Sequence, residues 1–511
     1  RDAQLVYHRD GTTATVSVMD FAECRSLRTN GKSDGAINMK AGARISDEIT
    51  MVLTGALPLA FRPDARLAAV IGVGTGLSTH TLLASPAMER VDTIEIEPAM
   101  AEASLLFAPI NSNTFADPRS NIIFDDAKTY FSTHNRLYDI IVSEPSNPWV
   151  SGVSSLFTAE FYRHVRRYLK PDGVLVQWFQ LYEIDVALLA SVMQALGAGF
   201  PDYAIYAATG SDLLIVAGEA RILSRPPADI TALPGVSREL SRVHIHTPGD
   251  IEIRRIGGKT TLAPLFASYG VPANSDYQPY LDLNAARDRF LQRSAGDITA
   301  MGTQGVPSAA MLEGRTAPTL LAPSLDGEEY LDRLETTRRA WYARDYFLAA
   351  TPPQPQAIPA QLQKDLEIVR GHLTDCRDPE RFDIWFHSLY QLARTVSPSL
   401  SAADGRALWA RIGAAPCRLP IPPGKRAWIA LFEAVASRDA APMAALSEQL
   451  LEQATDLPRS NRQYLIAAGM TGHLAMGGRE RAAAIWKRYP QDVDATTDLD
   501  LRLLNAHAQG K

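Results

Sequence analysis

The stretch from Leu67 to Pro98, LAAVIGVGTGLSTHTLLASPAMERVDTIEIEP, limits what the rest of the chain can fold into. Leu67 to Ile71 is an apolar run of strand length, and Gly72, Gly74 and Gly76 come where a strand must turn sharply into a helix. A helical segment from Ser78 and a second apolar strand from Val91 come next, and Glu95 and Glu97 close that strand. Glycines at such a turn let a ligand approach backbone amides at a helix start. An acid closing the following strand is where a doubly wound sheet hydrogen-bonds the hydroxyls of a ribose. Strand, glycine turn, helix, strand and acid, in this order, predict a nucleoside crevice.

The alternation continues downstream. Strands are expected at Asn121 to Phe124, Tyr138 to Val142, Val174 to Phe179, Ala204 to Ala207 and Leu213 to Ala217. Helices are expected at Ala99 to Phe107, Ala127 to Phe131, Ala159 to Leu169 and Val186 to Leu196, with a Pro171-Asp172-Gly173 turn after the third. Regular alternation with short connections means a parallel sheet covered on both faces. The fold class expected is therefore α/β, a Rossmann-like sheet. Upstream, a helix is expected from Ser46 to Ala60, and residues 1–45 read as a small β-hairpin segment. Its turns are Arg9-Asp10-Gly11 and Asn30-Gly31. Residues 46–294 read as the main α/β domain, and 295–327, rich in Gly, Pro, Ser, Ala and Thr, read as a linker. Residues 328–511 read as an all-α domain ending in a helical hairpin of the tetratricopeptide kind, Gln463 to Ala475 and Gly478 to Arg488.

A net charge of −6 gives no general attraction to nucleic acid or anionic membranes. Cys24, Cys376 and Cys417 lie far apart, so neither a disulfide framework nor a metal-ligand cluster is expected, and a reducing, cytoplasmic compartment fits. No run approaches the ~18 apolar residues of a membrane span. The chain opens at Arg1 without a methionine, which suggests a fragment whose upstream part has been removed.

The GxGxG spacing is shared by dinucleotide folds and by methyltransferase-like folds that bind S-adenosyl compounds. The residues after the next two strands separate them. Asp125-Asp126-Ala127 comes after the third strand and Ser143-Glu144-Pro145-Ser146-Asn147 after the fourth, so Glu95, Asp126 and Glu144 close successive strands. An adenosyl ligand needs acceptors for its ribose hydroxyls and its adenine amino group, and this array supplies both. A third carboxylate beside a sulfonium stabilises a cationic donor and takes a proton from an attacking amine.

The runs YDIIVSEPSNPW, SSLFTAEFY and LKPDGVLVQW, with DTIEIEP and FDDAKTYF before them, resemble the spermidine synthase (polyamine aminopropyltransferase) family over about residues 4–285. The nearest likeness is to bacterial proteins in which such a domain follows membrane helices. The resemblance implies a class I methyltransferase-type sheet, a ribose on Glu95, an adenine edge on Asp126 and Ala127, and a donor loop of Gly72, Gly74, Thr75 and Gly76. Glu144 takes the place of the family's catalytic aspartate, with Asn147 in the same loop, and Gln177 lies in the wall of the site. It further implies transfer of an aminopropyl group from decarboxylated S-adenosylmethionine to putrescine, leaving methylthioadenosine. The adenosyl compound is a substrate, and no cofactor is expected. A homodimer and a tether to membrane helices, making this the soluble domain of an inner-membrane protein, are also implied.

The departures are specific. The family's glycine loop carries an aspartate where this chain has Thr75, its second catalytic-loop acid is Asn147 here, and its Tyr-Gln pair is replaced by Thr50-Met51 with Asp47 and Glu48 nearby. Loss of the acid facing the donor's tail makes room for intact S-adenosylmethionine. Two alternatives therefore stand: a methyltransferase, lyase or cyclase of the same fold acting on that donor, and a non-catalytic module that binds adenosyl metabolites. Asp276, in the run Asn274 to Tyr280, is a candidate for the acceptor pocket. His244-Ile245-His246 near Asp250 reads as a surface strand, Trp149 as a stacking or packing residue, and Arg163, Arg166 and Arg167 as a solvated face.

Overall fold

A computed structural model describes residues 3–40, 44–150, 152–225, 227–314, 324, 331–349, 351, 358–374, 382–413, 421–453, 457–493 and 498–510. Cys376 and Cys417 lie outside these. The chain divides into an α/β unit (residues 1–259, 269–296 and 322–331) and a helical unit (260–268, 297–321 and 332–511).

The α/β unit opens with an antiparallel meander of four strands, β1 (Gln4–Asp10), β2 (Thr15–Asp20), β3 (Cys24–Thr29) and β4 (Lys32–Asn38). Asn30 and Gly31 both have positive φ, 51° and 81°, as a two-residue turn between twisted strands requires. Gly11 serves a different need from the one its turn suggests. Its φ is not positive, but a Cβ there would sit 2.2 Å from the Glu97 carboxylate. Inward residues Val16, Val18, Leu27 and Ile37 join the core of the main sheet, so the meander shares its interior with that sheet.

The main sheet has eight strands. Five are parallel: β5 (Leu67–Ile71), β6 (Arg90–Glu95), β7 (Ser120–Phe124), β8 (Tyr138–Ser143) and β9 (Leu169–Gln180). Three more, β10 (Asp202–Ala207), β11 (Asp212–Gly218) and β12 (Arg255–Gly258), extend it in antiparallel pairings. The order is β12-β10-β11-β9-β8-β5-β6-β7, with β11 inserted between β9 and β10. This is the class I methyltransferase arrangement with one added edge strand. From β5 the chain winds outward through β6 and β7 and then returns to β8 on the other side. The carboxyl end of β5 is therefore the switch point at which a crevice opens.

Several local expectations change. An all-parallel sheet gives way to antiparallel strands at one side, because β10 and β11 are joined by a four-residue connection too short for a crossover. Pro171-Asp172-Gly173 is no turn; it is absorbed into β9 as an irregularity between the pairs Tyr138–Leu169 and Ile140–Val174. His244 lies in a left-handed turn with φ 57°, not in a strand, and Asp250 accepts from the amides of His246 and Thr247, each at 2.9 Å.

The helical unit contains nine helices among the described residues from Asp332 to Ala508. Helices at Ala402–Gly413 and Leu499–Ala508 escape the sequence reading; Arg459–Ala475 and Arg479–Arg488 are the expected helix pair, but Leu499–Ala508 follows them, so the pair does not end the domain. Its core centres on Phe386, Tyr390, Trp428, Phe432 and Tyr464, with ring centroids 5.8 to 6.3 Å apart. The described part of the expected linker is structured. Helical turns at Gly296–Ala300 and Ser308–Leu312 bury Ile298, Met301, Val306 and Met311, so from residue 297 this segment belongs to the helical unit.

Gly72 holds the tightest backbone position of the switch point. Its φ is 92°, and a Cβ would lie 2.6 Å from the Glu144 carbonyl oxygen, whereas Gly74 (φ 48°) faces open space. Strain and overlap add at the first site and strain alone acts at the second. Gly72→Ala is expected to destabilise the chain by roughly 3 kcal/mol and Gly74→Ala by about 1 kcal/mol. Urea unfolding of the two variants measures the difference; equal losses would refute the close-approach account.

Candidate functional site

A cavity of about 740 Å³ opens over the carboxyl ends of β5, β6, β7 and β8, with β4 and the helix Ser46–Phe61 along its side. The turn after β5 is built for it. The Gly74, Thr75 and Gly76 carbonyls are taken by the Ser104 hydroxyl, the Asn111 amide (2.7 Å) and the Thr114 hydroxyl (2.5 Å). Its own amides brace it as well, Gly72 donating to the Ile94 carbonyl at 2.9 Å and Gly76 to the Val73 carbonyl at 2.7 Å. The Val73 amide donates to Glu95 at 2.8 Å, and the Glu97 amide donates to the other Glu95 oxygen at 2.8 Å. Burial raises the Glu95 pKa, and these two amides pull against that shift.

Glu97 ties the meander to this edge. It accepts from the Thr13 amide (2.7 Å), the Thr13 hydroxyl (2.9 Å) and the Ala99 amide (3.1 Å). Burial pushes its pKa up, but these donors outweigh it and hold the carboxyl below its usual range. Asp126 caps the helix Ala127–Thr133 through the Thr129 amide at 2.9 Å and lines the cavity with Asp125 and Ala127.

Glu144 is half-buried beyond β8 and accepts a hydrogen bond from Ser78 at 2.5 Å. Desolvation pushes its carboxyl up to about 7; the Ser78 bond opposes this and the charge on Asp212 adds to it. Asp47 is raised to about 6, again by burial first and by Asp212 second. Asp212 itself is raised by burial, despite hydrogen bonds from Thr209 (2.8 Å), the Trp178 indole (3.0 Å), Ser211 (3.0 Å) and Thr50 (3.3 Å). Asp34 completes the wall, raised by burial and held by Thr29 and by Ser146 at 2.8 Å.

Eight carboxylates thus line the cavity, against Lys32 as the cation among the described lining residues. Lys32 pairs with Glu183 at 2.7 Å and lies 3.7 Å above the Trp149 ring, and burial lowers its pKa. Trp149 is engaged by this cation and by Tyr182, and does not line the cavity. The field inside favours a cationic ligand.

The structure brings together Gly72, Gly74, Thr75, Glu95, Asp126, Ala127, Glu144 and Asn147 around one space. Gly76, with φ 83°, starts the helix Leu77–Leu83 behind the loop. Asn147 donates to Gln180 (2.9 Å) and to the Tyr182 hydroxyl (3.1 Å), which orients Tyr182 in the cavity wall. The Thr75 hydroxyl is spent on the Met51 sulfur at 3.0 Å. Two expected residues lie elsewhere. Gln177 is fully buried on the other face of β9, bonded to the Ser143 carbonyl at 3.2 Å, because its neighbour Trp178 takes the cavity side of the pleat. Asp276 sits outside the cavity, 3.6 Å from Lys128, and its amide donates to Glu160 at 2.9 Å.

Asp34, Asp212, Ser78 and Tyr182 are lining residues that the sequence reading does not reach. Asp212 opens an antiparallel strand, and its pairing with Gln180 puts the first residue of β11, rather than its last, at the ligand edge. A reading of β11 as antiparallel would have exposed it.

Fold and cavity together define an α/β domain of the methyltransferase type with an acidic crevice at its switch point. Residues 51–210 match the family model described as the spermine/spermidine synthase domain. The chain is 28% identical over 150 residues to polyamine aminopropyltransferase 1 of Aquifex aeolicus, covering 29% of this chain and 53% of that protein. It is 30% identical over 153 residues to the polyamine aminopropyltransferase of Moorella thermoacetica, covering 30% of this chain and 54% of that protein. The chain thus spans about half the length of these curated relatives. The spermidine synthase structure from Thermotoga maritima aligns with a TM-score of 0.36 at 19% identity, over 42% of this chain and 73% of that one. Among the described residues no helix is long and apolar enough to cross a membrane.

The coupling among the three acids is directly measurable. Asp212→Asn is expected to lower the pKa of both Glu144 and Asp47, since it removes a neighbouring negative charge. Ser78→Ala is expected to raise that of Glu144 further, since it removes a donor that favours the ionised form. Carbon-13 NMR titration of the side-chain carboxyls reads both shifts; unmoved titrations in Asp212→Asn would show the acids to be independent.

Proposed function

We propose that this chain transfers the aminopropyl group of decarboxylated S-adenosylmethionine to an amine such as putrescine, releasing methylthioadenosine. The observation that carries the reading is Glu144. It lines the same crevice as the glycine turn and Glu95, it is desolvated, and its pKa of about 7 suits a base at neutral pH. In this reading Glu95 takes the ribose hydroxyls, Asp126 and Ala127 the adenine edge, and the amides after β5 the donor's backbone-facing side. Asp47 and Asp212 attract the protonated acceptor and hold its chain along the wall. The attacking nitrogen must be neutral to displace the sulfonium, so Glu144 accepts its proton while the fixed approach supplies much of the rate. The new carbon–nitrogen bond forms as the carbon–sulfur bond breaks, and the sulfur keeps the bonding pair as a neutral thioether.

The surroundings of Thr75 favour a second reading. Thr75 offers no charge to an ammonium, its hydroxyl is committed to Met51, and Lys32 lines the same cavity. A donor that keeps its carboxylate, S-adenosylmethionine itself, fits that combination.

Chromatography of the purified chain incubated with each donor, with and without putrescine or spermidine, separates the readings. Methylthioadenosine formed with the decarboxylated donor only when an amine is present is the expected outcome. S-adenosylhomocysteine, or methylthioadenosine from the intact donor alone, would overturn it. Glu144→Gln is expected to lower kcat by roughly 10²–10⁴-fold with little change in donor affinity. Ionised Glu144 is the active form, so turnover should rise with pH through about 7, and Ser78→Ala should move that limb to higher pH. A limb unmoved by Ser78→Ala would assign it to another group.

A further inference from the structure

The helical unit holds a cavity of its own, of about 510 Å³, between the turns at 297–308 and the helices Arg459–Ala475 and Leu499–Ala508. Its walls carry three carboxylates, Asp297, Asp498 and Asp500, against one lining cation, Arg394, among the described residues. Two buried polar atoms at this cavity lack a hydrogen-bond partner. Tyr464 is 4% exposed and its hydroxyl is unsatisfied; Asp500 accepts from the Gly302 amide at 3.2 Å through one oxygen, and its other oxygen is buried without a donor. Leaving such groups unpaired in an interior is costly, so a cavity lined by both calls for a ligand that donates. The remaining walls include Met301, Val306, Ala467, Leu499 and Leu501, which suit an aliphatic chain.

The charge balance excludes an anion, and the spacing argues against a metal ion. Among the described residues no three acids or other ligating side chains converge closely enough to hold one. Carboxylates and apolar side chains lining one cavity match cationic nitrogens on an aliphatic chain. We propose that this cavity binds an aliphatic amine carrying two or more protonated nitrogens, one donating to Asp500 and the Tyr464 hydroxyl and another attracted by Asp297 or Asp498. Burial pushes the Asp500 carboxyl up to about 7, with Asp498 adding to it and the Gly302 amide and Arg333 opposing; a bound ammonium would restore its charge. Asp498 is already half-committed, since it caps the last helix through the Leu501 amide at 2.9 Å.

Hydrogen–deuterium exchange of the full chain locates binding independently of turnover and of the α/β cavity. Saturating putrescine or spermidine is expected to slow exchange in peptides from residues 297–308, 459–475 and 498–508. Asp500→Asn and the conservative Tyr464→Phe should each raise the midpoint of that protection by roughly tenfold, as loss of one charge-assisted hydrogen bond predicts. Protection around residues 72–78 should be unchanged in both variants. Protection absent at saturating amine, or present with the same midpoint in both variants, would overturn the proposal. Protection of these peptides by magnesium chloride but not by either amine would overturn it as well.

Discussion

The hydrogen bond from the Val73 amide to Glu95 spans the crevice between the two strands on which the site is founded. It fixes the end of β6 against the turn after β5, while Gly72 lets that turn pass under the Glu144 carbonyl at the end of β8. Three strand ends are locked into one rim this way, and those of β6 and β8 carry Glu95 and Glu144 at a set depth. The meander is attached to the same rim through Glu97, which reaches Thr13 because Gly11 has no side chain to block it. A substitution at Gly72 therefore acts on the site through backbone geometry, and one at Gly11 by displacing the Glu97 carboxylate, before either touches any ligand.

A rim of eight carboxylates is electrostatically costly, and the protein meets the cost unevenly. Glu97, surrounded by several amide and hydroxyl donors, is held below its usual range, whereas Glu144, Asp47 and Asp212 have been desolvated and raised. At Glu97 the donors outweigh burial, whereas at Glu95, Asp34 and Asp212 burial outweighs the hydrogen bonds that each accepts. The raised acids retain a proton affinity that chemistry can use.

How far the sequence could be read depended on whether the local chain direction sets the role of a residue. Glu95, Asp126 and Glu144 come at the ends of parallel strands, where the last residue always lies at the ligand edge, and the cavity contains all three. Gln177 was misplaced by one step of the pleat, since adjacent residues of β9 face opposite layers and only the packing of Tyr162 and Trp178 decides which face is which. Asp276 lies after a long excursion of chain with no periodic signal to place it. The segment after residue 295 looked like a linker from its small and turn-forming residues, yet Ile298, Met301 and Met311 are scattered apolar anchors that a helical neighbour buries.

The sequence by itself determined the order of elements, the glycine turn, the acids at the parallel strand ends and the departure at Thr75, because each is encoded in short-range spacing. Only the tertiary structure decided that β11 runs antiparallel and so carries Asp212 into the cavity, that Asp34 and Asp47 face the same space, and that Glu144 is raised to about 7. The reason is physical. Backbone geometry repeats along the chain and leaves a local pattern, whereas desolvation and charge coupling arise from groups far apart in sequence, and they exist only once the chain has closed around them.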